Sequence, residues 1–174
     1  MRNRQLSLFS PQTSTHGGVT SKGKRKIARP FDRRQAIHVT LRATSAIREW
    51  SMLAWKHKGF VYLHGDRIAR ESNVKLYRFV NVGNHLHLVV KARSRGDFQR
   101  FLRILTGKIA MLVTGARKGR PLAKRFWDLL AHTKLIQWGR QFENLAKYME
   151  KNLGQAEGPS AVLMSDNIEI RSSG

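Results

Sequence analysis

The order of apolar patterns along the chain predicts an α+β sandwich, one antiparallel sheet with helices packed on one of its faces. Three observations carry this. Residues 36–42 alternate strictly between apolar and polar types, which is the period of a half-buried strand. Two β-rich runs, 74–82 and 85–91, meet at Gly83-Asn84, a pair suited to a tight reversal. Between the strand-like runs lie segments with helical periodicity, the clearest being Phe98, Phe101, Leu102, Leu105, Ile109 and Leu112 on one stripe.

In chain order, residues 1–34 hold Ser-Pro, Gly-Gly and a basic run without sustained periodicity, and read as a disordered basic tail. The first strand, 36–42, sets Ile37, Val39 and Leu41 against His38, Thr40 and Arg42. Residues 43–56 hold at most a short helix near 50–55. A helix over 57–72 would gather Phe60, Val61, Leu63 and Ile68 on its apolar side, with His64 among them and Gly65 weakening the interior. The second strand covers 74–82 and the third 85–91. Asp97 is placed to cap the next helix, which runs to about 114. Residues 115–125 form a basic Gly/Pro loop, 133–138 a fourth strand and 141–152 a final helix. From 154 the pattern is lost and a disordered tail is expected to 174, leaving 35–153 as the folded domain. The order β, α, β, β, α, β plus a helix is that of a ferredoxin-like, split-βαβ sandwich, whose first and third strands are the adjacent central pair.

Composition narrows the function. With 33 Lys and Arg against 11 Asp and Glu, the net charge of +22 calls for a polyanionic partner, and nucleic acid leads because aromatics are interleaved with the basic residues. Cysteine is absent, which excludes disulfides, thiolate metal sites and a cysteine nucleophile. No apolar run approaches the ~20 residues of a membrane span, so a cytoplasmic, nucleoid-associated protein with no membrane partner is expected.

The chemistry centres on His85-Leu86-His87. Residues two apart in a strand share a face, so the two imidazoles point the same way while Leu86 and Leu88 face the core. Neutral imidazoles converging on one point suit a divalent metal, although a pair of hydrogen-bonded sheet histidines has the same spacing. His38 falls on the same sheet face, as a substrate contact, a partner that orients the pair or an ordinary surface histidine. Tyr148 and Asn152, four apart on the final helix, share a helix face; placed over the open sheet, they would bring a phenol and a carboxamide to the histidines.

The run Val82-Gly83-Asn84-His85-Leu86-His87-Leu88-Val89, followed by Tyr148-Met149-Glu150-Lys151-Asn152, resembles the single-tyrosine HUH transposases, especially the REP-associated tyrosine transposase branch. Ile37-His38-Val39-Thr40-Leu41-Arg42 is similar to that branch's first strand, so the resemblance covers roughly 30–155. It implies a metal-dependent endonuclease and strand transferase acting on single-stranded DNA folded into a hairpin. It also implies a 5′-phosphotyrosine intermediate and Mg²⁺ or Mn²⁺ as cofactor. His85, His87 and Asn152 map onto the metal ligands and Tyr148 onto the nucleophile. Relatives place the tyrosine helix in their own site or in a partner's, so a homodimer belongs to the expectation. Two departures are present: Val82-Gly83 stands where the family commonly has Met-Pro, and Leu153 where a Pro usually follows the Asn.

DNA-backbone contacts are expected from His38, Arg42, Arg100, Arg103 and Lys108, and from Arg117, Lys118, Arg120, Lys124 and Arg125 of the basic loop. Trp127 is a candidate for base stacking and, more conservatively, for the core. Near the N-terminus, Gln5-Leu6-Ser7-Leu8-Phe9 resembles the pentapeptide with which many bacterial replication and repair proteins dock into the DNA polymerase sliding clamp, which makes the clamp a further expected partner. Two rivals remain. An RNA- or DNA-binding ferredoxin-like domain without catalysis would want aromatics on strands one and three, where this chain has His, Thr and Arg. A replication or mobilisation nuclease of the HUH class would perform the same cleavage to another end.

Overall fold

The computed structural model describes residues 14–23 and 28–157. The clamp-like peptide and the chain after 157 lie outside the described residues. Strand β1 is Thr15–His16, β2 Ala36–Arg42, β3 Val74–Asn81, β4 His85–Ala92 and β5 His132–Ile136; helix α1 is Trp55–Glu71, α2 Arg95–Thr114 and α3 Arg140–Glu157. The sheet order is β1-β5-β2-β4-β3, every pairing antiparallel. Setting β1 aside, this is the split-βαβ arrangement, with β2 and β4 as the central pair.

Alternation builds the core. Ile37, Val39 and Leu41 of β2 and Leu86, Leu88 and Val90 of β4 are essentially inaccessible, and they pack with Phe98, Phe101, Leu105 and Ile109 of α2. A second, smaller cluster occupies the opposite sheet face: Ala36, Val80, Val89 and Ile136 lie under Met149 of α3, with Phe142 and Leu145 at the margin. The α3 stripe 142/145/149 docks this helix against β3. A bulge between Leu76 and Arg78 turns both Tyr77 and Arg78 toward α3, where Tyr77 meets the Phe142 ring edge-on and Arg78 lies 3.9 Å from Glu150.

Several sequence expectations need correction. Helix α1 begins at Trp55, and Phe60 and Leu63 lie on its outer side, 55% and 58% exposed, while His57, Val61, Gly65, Ile68 and Ala69 face inward. The true apolar side is centred on small residues because the helix sits close to the sheet: a Cβ on Gly65 would stand 2.3 Å from the Phe79 ring. Ser94, not Asp97, caps α2. Its hydroxyl accepts from the Asp97 amide at 3.1 Å and donates to the Asp97 carboxylate at 2.7 Å, so Asp97 supports the cap from the third helical position. Residues 48–50 form one 3-10 turn where a short helix near 50–55 is expected. Part of the segment read as a tail packs on the domain: β1 extends the sheet at β5, and Arg29 donates to the Ala131 carbonyl and the Thr133 hydroxyl, both at 2.9 Å. Trp127 belongs with the core, its Nε1 donating to the Thr106 carbonyl at 2.9 Å.

Candidate metal and tyrosine centre

The histidine motif starts immediately after a reversal whose geometry is fixed from below. Gly83 takes φ +88°, a conformation that favours glycine, and its N–H donates to the buried Asn81 Oδ1 at 3.0 Å. Asn81 Nδ2 in turn donates to the Met52 carbonyl at 2.7 Å. Strand β4 therefore enters the sheet in one register, pairing Arg42 with His85, Thr40 with His87 and His38 with Val89. Pleating then puts His85, His87, His38, Thr40 and Arg42 on the face opposite α1 and α2.

The imidazoles cluster closely. The His85 and His87 rings are 4.9 Å apart and nearly perpendicular; His87 and His38 stack at 5.5 Å. His85 Nδ1 lies 2.6 Å from Asn84 Oδ1, an acceptor, so the proton resides on Nδ1 and the Nε2 lone pair is left for another use. His87 Nδ1 is engaged as well, 3.3 Å from His38 Nε2 and 3.4 Å from Thr40 Oγ1. His87 Nε2 is buried and has no hydrogen-bond partner. Burial, with His38 and His85 alongside, brings the His87 pKa down to about 4. Burial, then His132 and Lys134, brings His38 to about 4. His85 is lowered by burial and by Arg42. At neutral pH, then, His38 and His87 are uncharged, and an uncharged imidazole is the form that ligates metal.

Helix α3 brings the remaining chemistry. Tyr148 and Asn152 border the docked stripe of the helix, and the Tyr148 ring stands edge-on to His87 at 6.1 Å with an interplanar angle of 90°. Tyr148 is 53% exposed, so solvent reaches it. Asn152 carries a buried Nδ2 with no partner. A carboxamide turns end for end without changing shape, so its oxygen can take that place. The lone pair of an unpartnered imidazole nitrogen and, after such a turn, an amide oxygen are both groups able to ligate a cation. Among the described residues no group of three or more His, Cys, Asp or Glu is placed to hold a metal.

The other expected contacts divide by face. His38 and Arg42 lie beside the histidine pair, whereas Arg100, Arg103 and Lys108 project from α2 on the far side of the sheet. Arg117, Lys118, Arg120, Lys124 and Arg125 are all exposed in the loop after α2. Sequence reasoning left three contributors without a role. Asn84 orients His85, and its adjacency to the motif was the available signal. Thr40 backs His87, and its alternation with His38 and Arg42 placed it on the right face. His132 joins that face from β5, opposite Thr40, but only the register of β5 on β2 reveals it.

Compared with solved structures, the chain is similar to a REP-associated tyrosine transposase bound to a REP hairpin, with a TM-score of 0.52, 15% identity, and coverage of 74% of this chain and 72% of that one. It is also similar to a transposase candidate from Deinococcus radiodurans R1, with a TM-score of 0.44, 13% identity, and coverage of 74% and 98%. No protein-family model and no curated protein matches the sequence. The first likeness is one of fold: this α+β sandwich is shared with a tyrosine transposase.

Proposed function

We propose that this chain is a metal-dependent single-stranded DNA endonuclease and strand transferase of the single-tyrosine HUH type, acting on hairpin DNA. The observation that carries the reading is the convergence of an orphaned, buried His87 Nε2, the neighbouring His85 and the Tyr148 ring beside the apolar patch that seats α3. Most buried polar atoms in a fold find a partner, so an unpartnered ring nitrogen beside a second imidazole and a phenol supports a ligand-binding role over a purely structural one.

In this reading His85, His87 and the Asn152 oxygen would hold Mg²⁺ or Mn²⁺. When bound, such an ion polarises phosphate oxygens and offsets the charge that develops on them. Asn84 and His38 hold the two imidazoles with their Nδ1 atoms occupied, so Nε2 is the presented atom of each. Tyr148 Oη attacks the scissile phosphorus; the O–P bond forms as the bond to the 3′-oxygen breaks, the phenolic proton passes to solvent, and the leaving oxygen is protonated as a 3′-hydroxyl. The number of phosphoester bonds is unchanged, so a second 3′-hydroxyl can reverse the attack and join a new strand. Arg42, 67% exposed at its side chain beside His85, is a DNA contact, and the basic loop supplies backbone contacts with steep salt dependence.

The test is covalent capture. Hairpin DNA incubated with the protein and Mn²⁺ is expected to give a DNA adduct on denaturing gels that Tyr148→Phe abolishes. His85→Ala with His87→Ala is expected to remove both the adduct and Mn²⁺ binding by titration. An adduct that survives Tyr148→Phe overturns the nucleophile, and undiminished cleavage by the histidine variant overturns the metal site.

A further inference from the structure

We propose that the cavity beside the histidine face, between β2, the turn after β1 and the loop before β5, is a subsite for one unpaired nucleobase of the strand whose phosphate lies at Tyr148. This rests on the reading of the chain as a single-stranded DNA enzyme and adds to it a point of base selection.

Position comes first. The cavity, of about 350 Å³, has Thr40, Arg42 and His132 among its lining residues. Thr40 is paired across the sheet with His87 on one side and His132 on the other. The floor thus begins one strand spacing, about 5 Å, from a metal-ligand position, and Thr40 Oγ1 is itself 3.4 Å from His87 Nδ1. A nucleotide adjoining the reacting phosphate can set its base there.

The walls are apolar side chains held at the surface. Val19 is 76% exposed, Leu129 37% and Leu130 69%, and all three line the cavity. They are not loose. The Gly18 amide donates to the Leu130 carbonyl at 3.0 Å, and the backbones approach so closely at Gly17 that a Cβ there would stand 2.1 Å from the Ala131 carbonyl oxygen. Exposed aliphatic groups on an ordered backbone leave apolar surface that the flat face of a base can cover.

The edge of the cavity carries a donor beside an acceptor. Arg42 Nε is 3.7 Å from Asp128 Oδ2, and Asp128 Oδ1 is fixed by the amide and hydroxyl of Thr44, both at 2.9 Å. A guanidinium and a carboxylate side by side match the donor and acceptor groups along the edge of an unpaired base. The carboxylate repels phosphate, and the Leu and Val walls offer it no hydrogen bonds, so a base fits this cavity better than backbone does.

The test is a cycle between base deletion and wall deletion. Hairpin DNA with a single-stranded extension is bound to the full chain in EDTA, with each extension nucleotide replaced singly by an abasic residue and affinity read by fluorescence anisotropy. One position is expected to lose roughly tenfold. In Val19→Ala with Leu130→Ala the intact DNA should bind about that much more weakly, and the abasic change at that position should cost nothing further. Both side chains are exposed, so melting should not change; if the pair unfolds, Leu130→Ala alone should show at least half of the coupling on a logarithmic scale. Absence of a sensitive position, or an abasic loss undiminished in the variants, overturns the subsite. A Tyr148 adduct formed with Mn²⁺ in spite of that outcome leaves the enzyme standing without the subsite. Coupling in EDTA with no adduct leaves a base-binding cavity and removes the enzyme.

Discussion

The two faces of the sheet share the same strands and backbone ladder, and differ only in which residue of each alternating pair points their way. Toward α1 and α2, β2 and β4 present Ile37, Val39, Leu41, Leu86, Leu88 and Val90, all at 1% exposure or less, and the face is apolar from end to end. Toward α3 the face is divided. Its Ala36–Val89–Ile136 end is sealed by Met149, while the His38–His85–His87 end stays polar and meets Tyr148 at its edge. One face holds the domain together. The other uses a small apolar patch to seat a helix and spends the rest of its area on groups that need partners.

The sharpest break of that comparison is Phe101→Ala, on the stabilising face. Phe101 is fully buried, and truncation of such a ring costs about 3–5 kcal/mol, from lost burial and the cavity left behind. Urea denaturation should show a loss of that size with the m-value unchanged. A loss below 1 kcal/mol would mean that the α2 face is not the main core.

Met149→Ala makes the matching cut on the other face. Met149 is fully buried, yet its cluster is small and α3 is otherwise open to solvent, so the site can partly collapse. The expected cost is about 2 kcal/mol, the lower end for such a change. It should fall on α3 before the rest: hydrogen exchange in α3 quickens, the amides of β2 and β4 stay protected, and adduct yield drops further than global stability does. Uniform acceleration across the sheet would place Met149 in the common core instead.

How much of this was legible follows from where each signal resides. Alternation in 36–42 and the His85-Leu86-His87 spacing are local, and they gave the central strands and the face of both imidazoles. The stripe of α2 is local too, although its cap was misplaced by one turn, since Ser94 and Asp97 are both ordinary capping residues and only the hydrogen bonds assign them. Helix α1 misled because Phe60 and Leu63 outweigh Gly65 and Ala69 on any hydropathy scale, whereas the Phe79 ring admits only the smaller residues. Residues 14–23 carry no periodicity, and they are ordered by pairing with β5, more than a hundred residues away. His132 became part of the site face through the same non-local register.

The smallest expected effect, taken over the single unit from pH 7 to 6, is a pH dependence that only the divided face should produce. His38 and His87 are held near a pKa of about 4, burial being the largest cause for each, against about 6.5 for a free histidine. Well above pH 6.5, at about pH 8, both states of the chain carry neutral imidazoles, and stability is independent of these groups. Below it the unfolded chain takes up protons that the folded chain refuses, so stability is lost as pH falls from about 6.5 toward 4, where the folded imidazoles finally protonate. His85 and His132 are lowered too, in the same direction. Between pH 7 and 6 the two buried rings together should cost about 1 kcal/mol, measured by urea denaturation in EDTA so that no cation competes with protons. His38→Gln should remove one titrating ring and flatten the profile, leaving stability at pH 8 to report only on packing and on the hydrogen bond to His87. A profile level from pH 7 to 5 in the parent chain, or an unchanged slope in His38→Gln, would mean that these imidazoles are hydrated in solution. The histidine end of the face would then be open to water at rest.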